Sequence, residues 1–266
     1  MTVRITQKLI VLFLILVNRE SLADDPVEEL LQATFRIADR EHSGTCFLIS
    51  TKEIDATNPR RVILATAAHV MEQMAGNSCE LFLREENEGH VYSRWPMTIT
   101  VRNEGKPLWT RHPDVDIATI FIDLPEKAAT KPISIEQIAN EAHVVEKTVR
   151  VGRDTWIPCY PAKLEANEAG WPVLRKGSIA SHPLTPVKST KTMLIDYRAF
   201  GGDSGAPVAM LVNDRLLVVG IVLGMHRQTD RSTLPFEERT MHTPLGLSIV
   251  GQAAFLRETI DLMVDK

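Results

Sequence analysis

The heptapeptide Gly201-Gly202-Asp203-Ser204-Gly205-Ala206-Pro207 lies between two strand-like apolar runs, 192–197 and 206–212, and it decides how the rest of the chain is read. Glycines on both sides of Asp203-Ser204 allow a tight backbone bend that can present a serine hydroxyl to solvent. The same bend can turn the amides of Gly202 and Ser204 toward one point, and two donors about 3 Å from a developing oxyanion are what acyl transfer requires. The bland alternative for this segment is an ordinary glycine turn.

A serine hydroxyl is a weak nucleophile at neutral pH and needs a base within hydrogen-bond reach, a task suited to histidine. Of the eight histidines, His69 follows the buried-strand pattern Val62-Ile63-Leu64-Ala65 through the small residues Thr66-Ala67-Ala68. On its own, a histidine at a strand end is more often structural. A catalytic imidazole also needs a carboxylate on its other nitrogen, to fix the tautomer and stabilise the imidazolium. Asp116 opens the apolar strand Asp116-Ile117-Ala118-Thr119-Ile120-Phe121-Ile122 and fits that role; Asp114, two residues earlier after Pro113, is its competitor.

Outward from these residues, the chain is a series of short runs broken by polar or Pro/Gly turns: 45–50, 61–65, 80–84, 97–102, 117–124, 148–151, 173–180, 192–197, 206–212, 216–223 and 245–249. Many short strands at this spacing predict a sandwich or barrel. Asn213-Asp214 between two apolar pairs is a hairpin signal, since both residues tolerate left-handed backbone angles. Helix is expected at 26–37 and 251–264, the latter with Phe255, Leu256, Ile260 and Met263 on one face packed against the body of the protein. The polar stretch 128–146 is the expected crossover between two halves of the β structure.

Thr66-Ala67-Ala68-His69, Asp116-Ile117-Ala118 and Gly202-Asp203-Ser204-Gly205 together resemble the histidine, aspartate and serine motifs of the trypsin-like serine proteases. The order His, Asp, Ser is the one in the chymotrypsin group; α/β-hydrolases and subtilisins use other orders, and Ala206 breaks the lipase-type GxSxG pattern. The resemblance spans about 44–249. It implies an all-β fold of two packed six-stranded antiparallel β-barrels with a C-terminal helix, the N-terminal barrel over about 40–130, the C-terminal barrel over about 145–250 and the helix over 251–264. It further implies a triad of His69, Asp116 and Ser204, an oxyanion hole from Gly202 and Ser204, and a peptide or protein substrate. Arg198, Leu223, Gly224 and Met225 would fall around the substrate pocket. Arg198 resembles the pocket-floor position, unless it points to solvent or pairs with Asp196. The chain departs from the digestive members in lacking an Ile-Val-Gly-Gly start near Asp24, so Asp203 has to find a partner other than a freed amine. In that it looks more like bacterial secreted or HtrA-type relatives, without an appended PDZ domain.

Arg4 and Lys8, the apolar run 9–17 and Ser21-Leu22-Ala23 form the order of a secretory signal peptide over 1–23, with cleavage expected after Ala23. Nine apolar residues would cover roughly 14 Å of helix against about 30 Å of hydrocarbon, too short for an anchor. The mature chain, 24–266, would then be periplasmic or extracellular. The leader carries three cations and one carboxylate, so the mature net charge is −6 rather than the −4 of the whole 266-residue chain. A mildly acidic protein without a basic run is a poor nucleic-acid binder.

Export would let disulfides persist, but the three cysteines allow only one internal bridge. Cys46 and Cys79 flank His69 in sequence, and a bridge between them would clamp the histidine loop; three buried free thiols are the alternative. No CxxC, HExxH, P-loop or GxGxxG pattern occurs, so no metal or other cofactor is expected. A non-catalytic binding module on the same fold is the rival reading, and survival of all three triad positions argues against it.

Overall fold

The computed structural model describes residues 25–52, 57–234 and 237–264; the expected signal peptide and its cleavage site lie outside the described residues. Helix α1 (Pro26–Ala33) opens the described chain, with Asp25 capping its first turn by accepting the Val27 amide at 2.8 Å and Pro26 at the first helical position. Leu30 and Ala33 face inward. The helix stops four residues short of the expected end because Thr34, Phe35 and Ile37 go into a strand, β1 (Thr34–Ala38), whose β-branched Thr34 and Ile37 suit a sheet better than a third turn.

The chain continues through β2 (Ser43–Ser50), β3 (Arg61–Ala67), the short helix α2 (Ala68–Gln73), β4 (Ser78–Asn87), β5 (Val91–Thr100), a small hairpin of β6 (Arg102–Asn103) and β7 (Lys106–Pro107), β8 (Thr110–Arg111) and β9 (Ile117–Asp123). These strands, apart from the β6/β7 hairpin, form one sheet in the order β5-β4-β1-β2-β3-β9-β8. Its ends meet where the Leu108 amide, just before β8, donates to Val101 O, just after β5, at 3.0 Å. The sheet has seven strands where six were expected, the extra one being the two-residue β8.

The crossover 128–146 contains a single 3-10 turn, Ile135–Gln137, and helix α3 (Glu141–Val145). The run 148–151, expected as a strand, is a turn, and the neighbouring strand is instead β10 (Asp154–Cys159). Then follow β11 (Val173–Ser178), β12 (Thr192–Asp196), β13 (Pro207–Val212), β14 (Arg215–Leu234), β15 (Glu237–Gln252) and the closing helix α4 (Ala253–Val264). The second sheet runs β11-β10-β13-β14-β15-β12, and an antiparallel bridge between Ile179 and Ile195 ties its ends. Asn213 and Asp214 form the β13/β14 turn at positive φ (49° and 58°), as their side chains suggest. The outcome is the expected architecture of two antiparallel barrels and a C-terminal helix.

Strands β2 and β3 are buried on both faces. Leu48 and Leu64 fill the first barrel with Phe35, Leu81 and Ile120, while Phe47, Ile49, Ile63 and Ala65 pack into the core shared with the second barrel, among Val208, Met210, Val218 and Ile221. Two-sided burial is why these strands read as unbroken apolar runs. Helix α4 adds Phe255, Leu256, Ile260 and Met263 to that shared core, the face expected from spacing.

Arg84 on β4 is fully buried. Its guanidinium donates to the carbonyls of Leu31 (3.1 Å), Gln32 (3.2 Å), Thr34 (3.1 Å) and Gly170 (3.3 Å), and it lies 4.1 Å from the ring centres of both Phe35 and Trp171. Burial pulls its pKa down from the usual value. The carbonyls at the end of α1 carry the negative end of the helix dipole, so the cation is compensated without a carboxylate.

The expected Cys46–Cys79 bridge is absent: Cys46, Cys79 and Cys159 are free and buried. The reason is topological. β1 lies between β2 and β4, and two strand spacings amount to roughly 10 Å, beyond the ~7 Å Cα separation a disulfide can span. Burial raises all three thiols, Cys79 to about 12.

Candidate active site

His69 sits in the first turn of α2, two residues past the point where β3 ends against β9. The neighbouring strand brings Asp116 beside it. Asp116 O accepts the Ala68 amide (3.2 Å), Oδ1 accepts the His69 amide (2.8 Å), and Oδ2 lies 2.6 Å from His69 Nδ1. A carboxylate held by the His69 amide, on a residue whose own carbonyl is held by the Ala68 amide, and aimed at Nδ1 makes Nδ1 the protonated ring nitrogen and leaves Nε2 as the basic one. Asp114, the competing carboxylate, points elsewhere and pairs with Lys191 at 3.2 Å.

Ser204 comes from the other barrel and is seated on the first. The Thr45 amide of β2 donates to Ser204 O at 2.9 Å. Gly205 follows at φ +90°, and a Cβ there would run into the Thr45 carbonyl and the Thr66 hydroxyl, so only glycine lets the serine loop approach the histidine strand this closely. Beyond it, Gly205 N donates to Val222 O (2.7 Å) and Val222 N to Ala206 O (2.9 Å), which stitches the loop to β14.

Between Gly202 and Ala206, the amides of Asp203, Gly205 and Ala206 donate to Phe200 O, Val222 O and Asp203 O. Those of Gly202 and Ser204 donate to nothing among the described residues. The peptide joining Gly201 to Gly202 is oriented from its far side, because Gly201 O accepts the Ala162 amide at 2.6 Å. A trans peptide points its C=O and N–H in opposite directions, so this anchor turns the Gly202 N–H away from Ala162. Gly202 O is held in turn by the Thr45 hydroxyl (2.7 Å), which itself accepts the Tyr160 amide (3.3 Å). Gly202 has φ +100°, and a Cβ there would overlap Tyr160 O. Ala162 and Lys163 take positive φ (51° and 67°) in the turn that supplies the anchor, a backbone cost of about 1–3 kcal/mol each that the surrounding contacts must offset.

His69, Ser204, Gly201 and Gly202 line one open cleft of about 460 Å³, bordered by Glu41, His42, Gln73, Ala162 and Lys163. The Ser204 hydroxyl and the imidazole share this cleft without a hydrogen bond between them, a looseness common before substrate binds. The four residues expected around a substrate pocket do not line it. Arg198 is exposed with its guanidinium 5.3 Å from the Phe200 ring centre, neither buried as a floor nor paired with Asp196. Leu223, Gly224 and Met225 are half-buried on β14, at the edge of the sheet next to the serine loop.

Asp203 is fully buried. In place of a freed amine its Oδ2 accepts the Phe200 amide at 2.9 Å, and Cys159, Tyr197 and Arg175 surround it. Burial raises its carboxyl above the ordinary range. Among the described residues no group of three or more His, Cys, Asp or Glu side chains is placed to hold a metal ion. Thr45, Tyr160 and Ala162, which orient the glycine loop, were not singled out by sequence, because two of the three act through main-chain groups that any residue possesses.

No family model and no curated protein matches the chain. Among solved structures it is similar to the crystal structure of Rv3671c from M. tuberculosis H37Rv as a serine-to-alanine mutant in an inactive form, with 18% identity over 93% of this chain and 94% of that one and a TM-score of 0.49. It is similar also to the crystal structure of Rv3671c protease in an inactive form, with 19% identity over 92% and 95% of the two chains and a TM-score of 0.48.

Proposed function

We propose that this protein is a secreted serine endopeptidase in which Ser204 is the nucleophile, His69 the general base and Asp116 the carboxylate that orients it. The observation that carries the reading is the pair of unpaired amides of Gly202 and Ser204 in the cleft that also holds the imidazole. Main-chain N–H groups seldom go without a partner unless a ligand or water takes them.

In this reading Ser204 Oγ attacks the peptide carbonyl carbon as its proton passes to His69 Nε2, and the carbonyl oxygen becomes an oxyanion facing the Gly202 and Ser204 amides. The C–N bond breaks, and the leaving amine takes the proton from His69. Water then attacks the acyl-serine with His69 again accepting the proton; the carboxylic acid leaves and Ser204 regains its hydrogen. Asp116 keeps Nδ1 protonated throughout and stabilises the imidazolium. Arg198, Leu223, Gly224 and Met225 remain the proposed neighbours of the side chain before the cut. No cofactor is required. Incubation with a fluorophosphonate tests the assignment: the wild-type mature chain is expected to gain one adduct on Ser204, and Ser204→Ala none. An unlabelled wild type would reject it.

A further inference from the structure

The Asp116 side chain is 31% exposed, so packing alone does not aim its carboxylate at His69. Its direction depends on the main chain at either side. On the carboxyl-terminal side the β3/β9 ladder fixes Ile117 against Ala67. On the amino-terminal side the chain arrives from β8 through a loop, 112–116, which is closed by the His112 amide donating to Ile117 O at 2.9 Å.

The interior of that loop is organised by the His112 ring. Of the eight histidines, all among the described residues, His112 alone is buried. Its Nδ1 accepts the amides of Asp114 (3.0 Å) and Val115 (3.1 Å). A ring nitrogen that accepts carries no hydrogen, so the ring N–H is at Nε2, where it donates to Glu258 Oε2 at 3.2 Å. Phe255, also on α4, meets the ring edge to face with centres 5.3 Å apart. The C-terminal helix thus holds the imidazole, and the imidazole holds the loop. Val115 is fixed at every polar group and at its side chain: His112 takes its amide, the Ile117 amide donates to its carbonyl at 2.8 Å, and the side chain is buried in the core shared by the barrels. The next residue is Asp116.

We infer that His112 is a positioning residue for Asp116: its Nδ1 lone pair sets the main chain at 114–115, and with it the direction from which the carboxylate meets His69 Nδ1. The inference rests on the proposed function, in which Asp116 is the orienting carboxylate, and it extends that machinery to a side chain that acts through Asp116 and not on the substrate. The rival account is that His112 is a core contact and nothing more. The two accounts differ in which part of the ring matters, because Nδ1 faces the loop whereas Nε2 and the ring face meet α4.

Two amide side chains separate those parts. His112→Asn places an oxygen one bond from Cγ, where Nδ1 stands, and gives up the donor to Glu258 and the ring on Phe255. His112→Gln places its amide nitrogen near Nε2 and leaves the Asp114 and Val115 amides without their acceptor. The kcat of His112→Gln is expected to fall about tenfold to a hundredfold with KM within about twofold, since a misplacement of about 1 Å costs on that order. His112→Asn is expected to retain kcat within about threefold of wild type even though its melting temperature falls. Equal losses of kcat in the two variants, or the greater loss in His112→Asn, would overturn the inference. In an Asp116→Ala background, where no carboxylate remains to be aimed, His112→Gln is expected to cost less than about twofold; a loss as large as in the native background would overturn it as well.

A further readout needs no turnover. The low-field proton resonance of His69 Nδ1–H bound to Asp116 is expected to persist in His112→Asn and to shift or broaden in His112→Gln; the same resonance in both would count against the inference. In the wild type, the ring ¹⁵N shifts of His112 are expected to report a bare Nδ1 and a protonated Nε2. The opposite tautomer would overturn the inference even if neither variant folds. A wild type that shows these signatures but takes no fluorophosphonate label would refute the proposed function alone.

Discussion

The two halves of the site are held in different ways. His69 lies just after β3 and Asp116 just before β9, adjacent strands of one sheet, and the β3/β9 ladder that pairs Ala67 with Ile117 sets their approach. Ser204 belongs to a loop whose position is dictated by groups outside its own sheet as much as within it: the Thr45 amide and hydroxyl from the first barrel, Val222 from the second, and the Ala162 amide from a turn at left-handed backbone angles. The proposed base is therefore a property of one barrel, and the proposed nucleophile with its two amides a property of the interface. Damage to the first half should remove chemistry without loosening structure; damage to the second should loosen geometry first.

The sharpest break in that comparison is Asp116→Asn. An amide in place of the carboxylate can donate to Nδ1 and so favour the wrong tautomer, and kcat is expected to fall about 10⁴-fold with the melting temperature little altered. Steady-state kinetics and thermal unfolding on one preparation check both parts; a fall below tenfold would mean that Asp116 is not the orienting group. Thr45→Val strikes the interface. It keeps the shape and removes the hydroxyl that holds Gly202 O, and kcat is expected to fall roughly tenfold with KM nearly constant, as one amide of the pair loses its aim. An equal loss in KM would show that the contact shapes binding and not the oxyanion site.

The smallest effect concerns Asp203. Burial raises its carboxyl, so the folded chain binds that proton more tightly than the unfolded chain does, and this residue's contribution to stability declines as pH rises through the interval between the ordinary carboxylate value and the raised one. Asp203→Asn keeps an acceptor for the Phe200 amide and removes the charge. It is expected to raise the neutral-pH melting temperature by about 2–4 °C and to flatten its dependence on pH below neutrality. An unchanged slope in calorimetry across that range would show that the charge is compensated in the fold.

What could be read from the chain depended on where its physics is local. β3 and β9 are apolar throughout because both faces are buried, and glycines at 202 and 205 mark backbone that no other residue adopts. β1 was legible only as more helix, because Phe35 and Ile37 follow Leu30 and Ala33 at spacings that serve either structure. β10 was hidden by Pro158, which stands opposite Leu174 on the β11 side. The paired outer ends of β14 and β15 have polar residues on both faces and therefore no period to detect. In the candidate site, the three proposed triad residues were marked by type and order. The Thr45, Tyr160 and Ala162 contacts are 115 to 157 residues apart in the chain where a side chain is involved, and mostly main chain in character, so nothing local marks them. The surroundings of Arg198 were hidden for a related reason: a position counted from Ser204 fixes where a residue stands, while its exposure depends on Phe200 and Arg175 nearby.

The caged guanidinium of Arg84 has a consequence for how the molecule assembles. Its partners lie at residues 31–34 and 160–170, so that with Arg84 itself three segments arrive from the chain's beginning, middle and later part. A cation stripped of water is tolerable only once all three have converged, and any intermediate with one segment missing leaves it stranded. Partly built forms are thereby penalised, which couples the stability of one barrel to that of the other.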